Sequence, residues 1–239
     1  MFYLSDFSDL TIVIPTLNEE KNIQRLIRML AGTYPGVSVM VSDDGSIDGT
    51  KDAVVKLGRS NKRILFLDRR KSAEHGLTAS VIDAAKLVST KKMIVMDADM
   101  QHPYEKVRSI SSALDDHDIV IGVRRRIKDW GVQRRIVSVL VSSFAFVVFS
   151  IRGRPACRDM MTGFFGIRTD LFKSIISKNR KRFVYRGYKV VLDILRVVDS
   201  KASISEIEYD TFHQRRYGSS KLSFLGMNHA YDTLQSILK

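Results

Sequence analysis

The chain has 239 residues, 44% hydrophobic and 27% charged, long enough to bury one large core and too apolar for wholesale disorder. Its 39 Lys and Arg against 26 Asp and Glu leave a charge of +13, which favours anionic partners: nucleic acid, nucleotide phosphates or an acidic membrane face. A single cysteine, Cys157, excludes an internal disulfide framework, no Cys/His cluster has zinc spacing, and MFYLSDFSDL lacks the basic start and long apolar stretch of a signal peptide.

Leu10–Pro15 (LTIVIP) is a β-branched run closed by proline and reads as a buried strand. Residues 20–31 carry Ile23, Leu26, Ile27 and Leu30 at helical spacing. A second strand over Val37–Ser42 leads into DDGSIDGT and a helix over Lys51–Leu57, for which Thr50 is the expected cap. Then follow a strand at Arg63–Leu67, a helix at Leu77–Val88, a strand at Lys92–Met96, a helix at Tyr104–Leu114 and a fifth strand at Asp118–Gly122. Alternating strands and helices predict an α/β fold whose mostly parallel sheet is covered on both faces. Ligands of such sheets sit beyond the carboxyl ends of the strands. PTLNE, SDDGS, DADMQ and GVRRR all fall there, so four polar clusters converge on one rim. No repeat, low-complexity segment or linker divides the chain.

After Gly122 the stretch GVRRRIKDWGVQRR is basic and reads as a loop; residues 136–151 then contain no charge, with Arg134, Arg135, Arg152 and Arg154 on either side. A transmembrane helix needs ~20 apolar residues, and this run is shorter and contains four serines. Two readings fit it: a buried helix, or one lying in a membrane interface with the arginines at the headgroups.

DDGSIDGT suits an ordinary strand–turn–helix junction, because Asp, Gly and Ser favour such turns, and a strand-end carboxylate there can also accept hydrogen bonds from a base or ribose. DADMQ says more. On an extended backbone Asp97, Asp99 and Gln101 share one face, and two carboxylates aimed at one point repel unless a cation or a set of donors lies between them. An all-oxygen set suits Mg²⁺ or Mn²⁺, which holds a diphosphate through its remaining positions. A helix cap would explain one aspartate but not the group. His102 is expected to pack or hydrogen-bond rather than ligate, and Asp159 either contacts a sugar or caps a turn.

The order PTLNE, DDGSIDGT, GLTASVIDAAK, MDADMQHP is similar to that of inverting GT-A glycosyltransferases that use nucleotide sugars. The later segments GVR, QRRIVS, RDMMTGFFGIR and RRYGSSKL resemble polyprenyl-phosphate glycosyltransferases of the dolichol-phosphate mannose synthase type, and the resemblance runs from about Leu10 to Leu222. It implies a GT-A, Rossmann-like sheet flanked by helices, with the uncharged segment as an apolar interface helix guiding the lipid. One domain would span residues 1–239, with 10–122 as the nucleotide-sugar half and 123–239 as the acceptor and membrane-interface half. Pro15, Leu17, Glu19, Val41 and Asp43 would line the nucleotide pocket. Asp97, Ala98, Asp99 and Gln101 would hold diphosphate and metal, with Asp99 and Gln101 as the most direct ligands. Arg124, Arg134 and Ser138 would meet the acceptor phosphate, while Arg215 and Lys221 would close over the donor. Leu17 stands where the family often has an aromatic residue, and MTGFFG, with Met161 and Phe165, departs from the usual acceptor-pocket stretch.

The implied reaction moves mannose from GDP-mannose to dolichyl or another polyprenyl phosphate. A phosphomonoester, with a second pKa of ~6, is already a nucleophile at neutral pH. The site therefore needs cationic positioning and leaving-group stabilisation instead of a general base. UDP-glucose is the alternative donor, and a non-catalytic nucleotide-sugar-binding subunit the alternative class. The +13 charge alone argues for nucleic acid, and no aromatic–basic platform supports it. With no signal peptide or transmembrane stretch, the expected location is peripheral, on the cytoplasmic face of a membrane, alone or with a membrane-protein partner, unless the chain is the catalytic part of something longer.

Overall fold

A computed structural model describes residues 6–126, 132–185, 189–211 and 237, with the backbone alone at 126, 132–139 and 141. At its centre lies β1 (Leu10–Thr16), buried along its whole length. Its side chains alternate: Leu10, Ile12 and Ile14 enter one apolar cluster and Val13 the other. A strand buried on both faces requires helices above and below, which is the environment of a parallel sheet.

β2 (Ser38–Asp43) and β4 (Lys92–Val95) flank β1 in parallel, and β3 (Ile64–Asp68) lies beyond β2. With β5 (Ile119–Arg126), β6 (Phe165–Arg168) and β7 (Ile204–Asp210), the order is β3-β2-β1-β4-β6-β5-β7. β6 is antiparallel to both its neighbours, and the other described strands run parallel. The carboxyl ends of β1, β2, β4 and β5 therefore share one edge.

One face of the sheet is covered by α1 (Glu20–Thr33), α2 (Thr50–Ser60) and α4 (Val107–Ala113), the last entered through a 3-10 turn at Tyr104–Lys106. α1 buries Ile23, Leu26, Ile27 and Leu30, the stripe its spacing predicts. The other face carries α3 (Leu77–Leu87), α5 (Val132–Ile151), α6 (Thr169–Asn179) and α7 (Val190–Val197). No helix among the described residues is long and apolar enough to cross a membrane.

Three sequence expectations change. GVRRR is not a loop: β5 continues to Arg126, because β7 supplies a partner as far as Asp210, with an irregularity between Arg124 and Arg126. α5 begins at Val132, four residues before the uncharged run. β6, α6, α7 and β7 add elements beyond those expected from the sequence. β6 is only four residues long, and α7 is eight residues with its two charged side chains, Asp193 and Arg196, paired and buried with the rest, so it does not read as a surface helix.

Candidate active site

Two loops at the ends of β1 and β2 are bound to each other. Asn18 adopts a left-handed backbone (φ 53°), which asparagine tolerates better than most residues. Its N–H donates to Ser46 Oγ (2.7 Å) and its Oδ1 accepts from the Ile47 N–H (2.8 Å). Thr50 Oγ1 accepts from the Glu19 N–H (2.9 Å), and Glu19 Oε2 accepts from Asn22 Nδ2 (2.8 Å). Thr50 thus ties the two loops together, while Gly49 occupies the N-cap of α2 with no side-chain cap, contrary to the expectation from sequence. Pro15 and Val41 are buried below these loops, and Leu17 is 44% exposed above them.

The consecutive aspartates after β2 differ in their surroundings. Asp43 is buried and folds onto its own turn, Oδ1 accepting from the N–H groups of Gly45 (3.1 Å) and Ser46 (2.9 Å), with Ser46 Oγ donating to Oδ2. Asp44 accepts from the Gly76 N–H (2.7 Å), faces His75 Nδ1 (2.9 Å) and pairs with Arg69. Arg69, 1% exposed, also bonds Asp83 (3.0 Å), Ser80 Oγ (2.8 Å) and the Glu74 carbonyl (2.6 Å). A buried guanidinium with this many acceptors locks β2, β3 and α3 together beneath the rim.

The acidic turn after β4 is built differently from the expected extended strand. β4 stops at Val95, Ala98 and Asp99 lie in a turn, and Met100 takes a left-handed φ of 62°. Side chains two apart share a face only on extended backbone, so that argument for Asp97 and Asp99 does not apply here. Within the turn Asp99 Oδ1 accepts the Gln101 N–H at 3.1 Å. Asp97, Asp99 and Gln101 are all partly exposed, and Ala98 is buried. Their side chains offer oxygen donors, the set a hard divalent cation takes. Among the described residues no three His, Cys, Asp or Glu cluster as a metal site, so two carboxylates and an amide are what this turn contributes.

His102 lies under the turn, as the sequence suggested. It stacks on Phe164 (centroids 5.1 Å apart, 21° between planes) and meets the edge of Tyr209 (5.8 Å). Its Nδ1 accepts the Asp97 N–H (3.3 Å), which leaves the proton on Nε2, 3.5 Å from Asp97 Oδ2. Burial pushes its pKa down to about 4, so the ring is neutral at pH 7. Gly163 makes a close approach possible: a Cβ there would stand 3.0 Å from Asp97 Oδ1.

Arg124, on β5, donates Nε to Asp159 Oδ2 (2.6 Å) and Nη2 to Asp159 Oδ1 (2.8 Å) in a two-pronged pair whose side chains are 13% and 10% exposed. Burial works against the arginine's charge, and the Asp159 bonds outweigh it, raising its pKa. Tyr209, on β7, is buried in the same cluster, its hydroxyl pKa raised by that burial. For Asp159 the structure shows an ion pair with Arg124, which is neither the sugar contact nor the turn cap that the sequence suggests. Tyr209 carried no sequence signal because its strand had none. Arg134 and Ser138 lie on α5 with side chains outside the described residues, and Arg215 and Lys221 lie outside them altogether.

A mostly parallel sheet with these polar turns at its carboxyl edge is the Rossmann-like GT-A fold of glycosyltransferases. The structure of glucosyl-3-phosphoglycerate synthase from Mycobacterium tuberculosis, in complex with Mn²⁺, UDP and glucosyl-3-phosphoglycerate, superposes with a TM-score of 0.70 at 18% identity, covering 96% of this chain and 78% of that one. The model of glycosyl transferase family 2 matches residues 11–176, and the chain belongs to that family. It is therefore a glycosyltransferase. It is 29% identical over 227 residues to the dolichol-phosphate mannosyltransferase of Saccharomyces cerevisiae, covering 89% of this chain and 80% of the yeast protein. It is also 29% identical over 225 residues to the dolichol-phosphate mannosyltransferase of Pyrococcus furiosus, covering 89% of this chain and 58% of that longer one.

Proposed function

We propose that this glycosyltransferase transfers mannose from GDP-mannose to the phosphate of dolichol or another polyprenol, inverting the anomeric centre. The observation that carries the reading is one connected rim: the oxygen-donor turn of Asp97, Asp99 and Gln101 is joined through His102 and Tyr209 to a largely buried arginine, Arg124, the cross-strand neighbour of Tyr209. The names of the relatives, at 29% identity over 89% of the chain, support mannose and dolichyl phosphate as the substrates.

In this reading Pro15, Leu17, Glu19, Val41 and Asp43 surround the nucleotide. Asp97, Ala98, Asp99 and Gln101 receive the diphosphate, with Arg215 and Lys221 closing over it. Mg²⁺ or Mn²⁺, held by Asp99, Gln101 and Asp97, would supply charge neutralisation for the leaving diphosphate; the all-oxygen donor set fits such an ion. Arg124, with Arg134 and Ser138, positions the lipid phosphate. Positions 134 and 138 are one helical turn apart on α5. A phosphate oxygen of the lipid attacks C1, the bond from C1 to the diphosphate oxygen breaks, and its electron pair leaves with GDP. No proton moves, so no general base is required; a neutral, buried His102 is consistent with that.

Residues 10–122 would form the donor half and 123–239 the acceptor and membrane half. α5 supports the membrane side. Leu140, Phe144, Val147 and Ile151 follow helical spacing and are 63%, 41%, 52% and 80% exposed, an apolar stripe away from the buried Ala145 and Phe149. Such a helix suits peripheral binding at the cytoplasmic face of a membrane, alone or beside a membrane-protein partner.

The test is a donor panel: purified chain, polyprenyl phosphate in detergent, Mg²⁺ or Mn²⁺, and GDP-mannose against UDP-glucose. Label entering lipid from GDP-mannose is expected. Preferential transfer from UDP-glucose would replace the sugar assignment, and donor binding without turnover, indifferent to Asp99→Ala, would favour a non-catalytic subunit.

A further inference from the structure

We infer, resting on the peripheral-membrane reading of α5, that the basic run at the end of α6 is a contact for anionic phospholipid that works together with the α5 stripe. α6 ends at Asn179 and the 3-10 turn Arg180–Arg182 follows at once, which places Lys178, Arg180, Lys181 and Arg182 within one short stretch. All four side chains are exposed, and none forms an ion pair among the described residues. Exposed arginines elsewhere are paired: Arg70 with Asp68, Arg158 with Glu206 and Glu208, Arg168 with Asp170. The backbone beneath the run is fixed. Asn179 Nδ2 donates to the Ile175 carbonyl (3.2 Å), the Tyr185 hydroxyl donates to the Arg180 carbonyl (3.2 Å), and Arg196 Nη2 donates to the Arg182 carbonyl. Phe183, the next residue, is buried. The charges therefore stand on an anchored turn and point into solvent.

The run adjoins the open end of the apolar stripe. Arg182 lines the same cavity of about 290 Å³ as Arg152 and Arg154, which follow directly on α5. The stripe of Leu140, Phe144, Val147 and Ile151 ends at the residue before Arg152. The negative end of the α6 dipole favours cations and accounts for Lys178 and Arg180, but Lys181 and Arg182 lie beyond the helix. A solvated basic face would account for the charges and not for exposed apolar surface ending beside them. An acidic protein or an RNA would match the charges and leave the stripe in water. A neutral bilayer would match the stripe and leave the charges without a partner. An anionic bilayer surface matches both, with acyl chains against the stripe and negative headgroups at the level of the lysines and arginines.

Three full-length proteins are compared: wild type, K178Q/R180Q/K181Q, and K56Q/R59Q/K62Q, which loses the same charge from exposed positions on and after α2, on the opposite face of the sheet. Each is sedimented with phosphatidylcholine vesicles and with mixed phosphatidylcholine–phosphatidylserine vesicles. Wild type is expected to bind the mixed vesicles more tightly. A basic side chain at such a surface contributes about fivefold in affinity, so K178Q/R180Q/K181Q should lose at least about tenfold on mixed vesicles. It should keep wild-type binding to phosphatidylcholine alone, and K56Q/R59Q/K62Q should match wild type on both. Three results overturn the contact and leave the α5 stripe standing: equal or weaker binding of mixed vesicles by wild type, equal losses in the two triple variants, or mixed-vesicle binding by K178Q/R180Q/K181Q at the wild-type level, as an acidic protein or RNA partner would give. No binding of either vesicle by wild type overturns the contact and the peripheral-membrane reading together. Thermal unfolding of each protein checks the fold, and R180Q/K181Q serves in the same comparison if the triple variant unfolds.

Discussion

Removing the Asp159 carboxylate would leave the Arg124 guanidinium in its nearly buried position without the two-pronged partner that offsets its desolvation. Breaking a buried pair from one side typically costs about 3–5 kcal/mol, so Asp159→Ala should lower the unfolding free energy by about 3 kcal/mol in urea titration. A cost below about 1 kcal/mol would show that the pair is not what holds Arg124. At this scale the sequence was partly readable. Asp97, Asp99, Gln101 and the packing role of His102 could be named because they stand together after an apolar run. Asp159 lies 35 residues from Arg124, so nothing local could pair them. Arg69 was missed for the same reason: its partners Asp44, Ser80 and Asp83 lie on other elements, and an isolated arginine in a basic chain looks like solvated surface.

Gly122, within β5, shows how a single element positions the site. A Cβ there would stand 2.8 Å from the Phe164 carbonyl and 3.0 Å from Tyr209 Cε1, and both residues pack around His102. Because the nearest atom is backbone, Gly122→Ala must push β5 away from the 163–165 segment, at about 1–3 kcal/mol as for other overpacked cores. Its expected signature is a lower thermal midpoint together with weaker turnover. Unchanged stability and turnover would mean the segment yields freely. On α5 the opposite behaviour is expected. Leu140→Ser with Phe144→Ser removes exposed apolar surface and should alter unfolding by less than about 0.5 kcal/mol per site, while vesicle sedimentation falls several-fold. Vesicle binding equal to wild type would remove α5 from the membrane reading. The uncharged run was conspicuous in the sequence, but its two faces were not, because an apolar helix reveals which side is buried only once its neighbours are known.

For the whole molecule, the first half of the fold followed from alternating period-two and period-3.6 patterns, and every strand and helix expected between Leu10 and Gly122 is present with shifted ends. The second half did not follow. β6 inserts antiparallel between β4 and β5, and β7 pairs with β5 across more than 80 residues of chain, a long-range pairing with no local signature. That insertion is also what brings the acidic turn after β4 and Arg124 on β5 to one rim, since β6 is the strand between them. On the proposed function, this rim transfers a sugar to a lipid phosphate through its acidic turn. The most direct test incubates wild type and Asp99→Ala with tritium-labelled GDP-mannose, dolichyl phosphate and Mn²⁺, and counts label in the organic phase. Labelled lipid from wild type, with a loss of at least about a hundredfold in Asp99→Ala as for removal of a leaving-group stabiliser, is the predicted result. No labelled lipid from wild type, or equal labelling by both proteins, would contradict it.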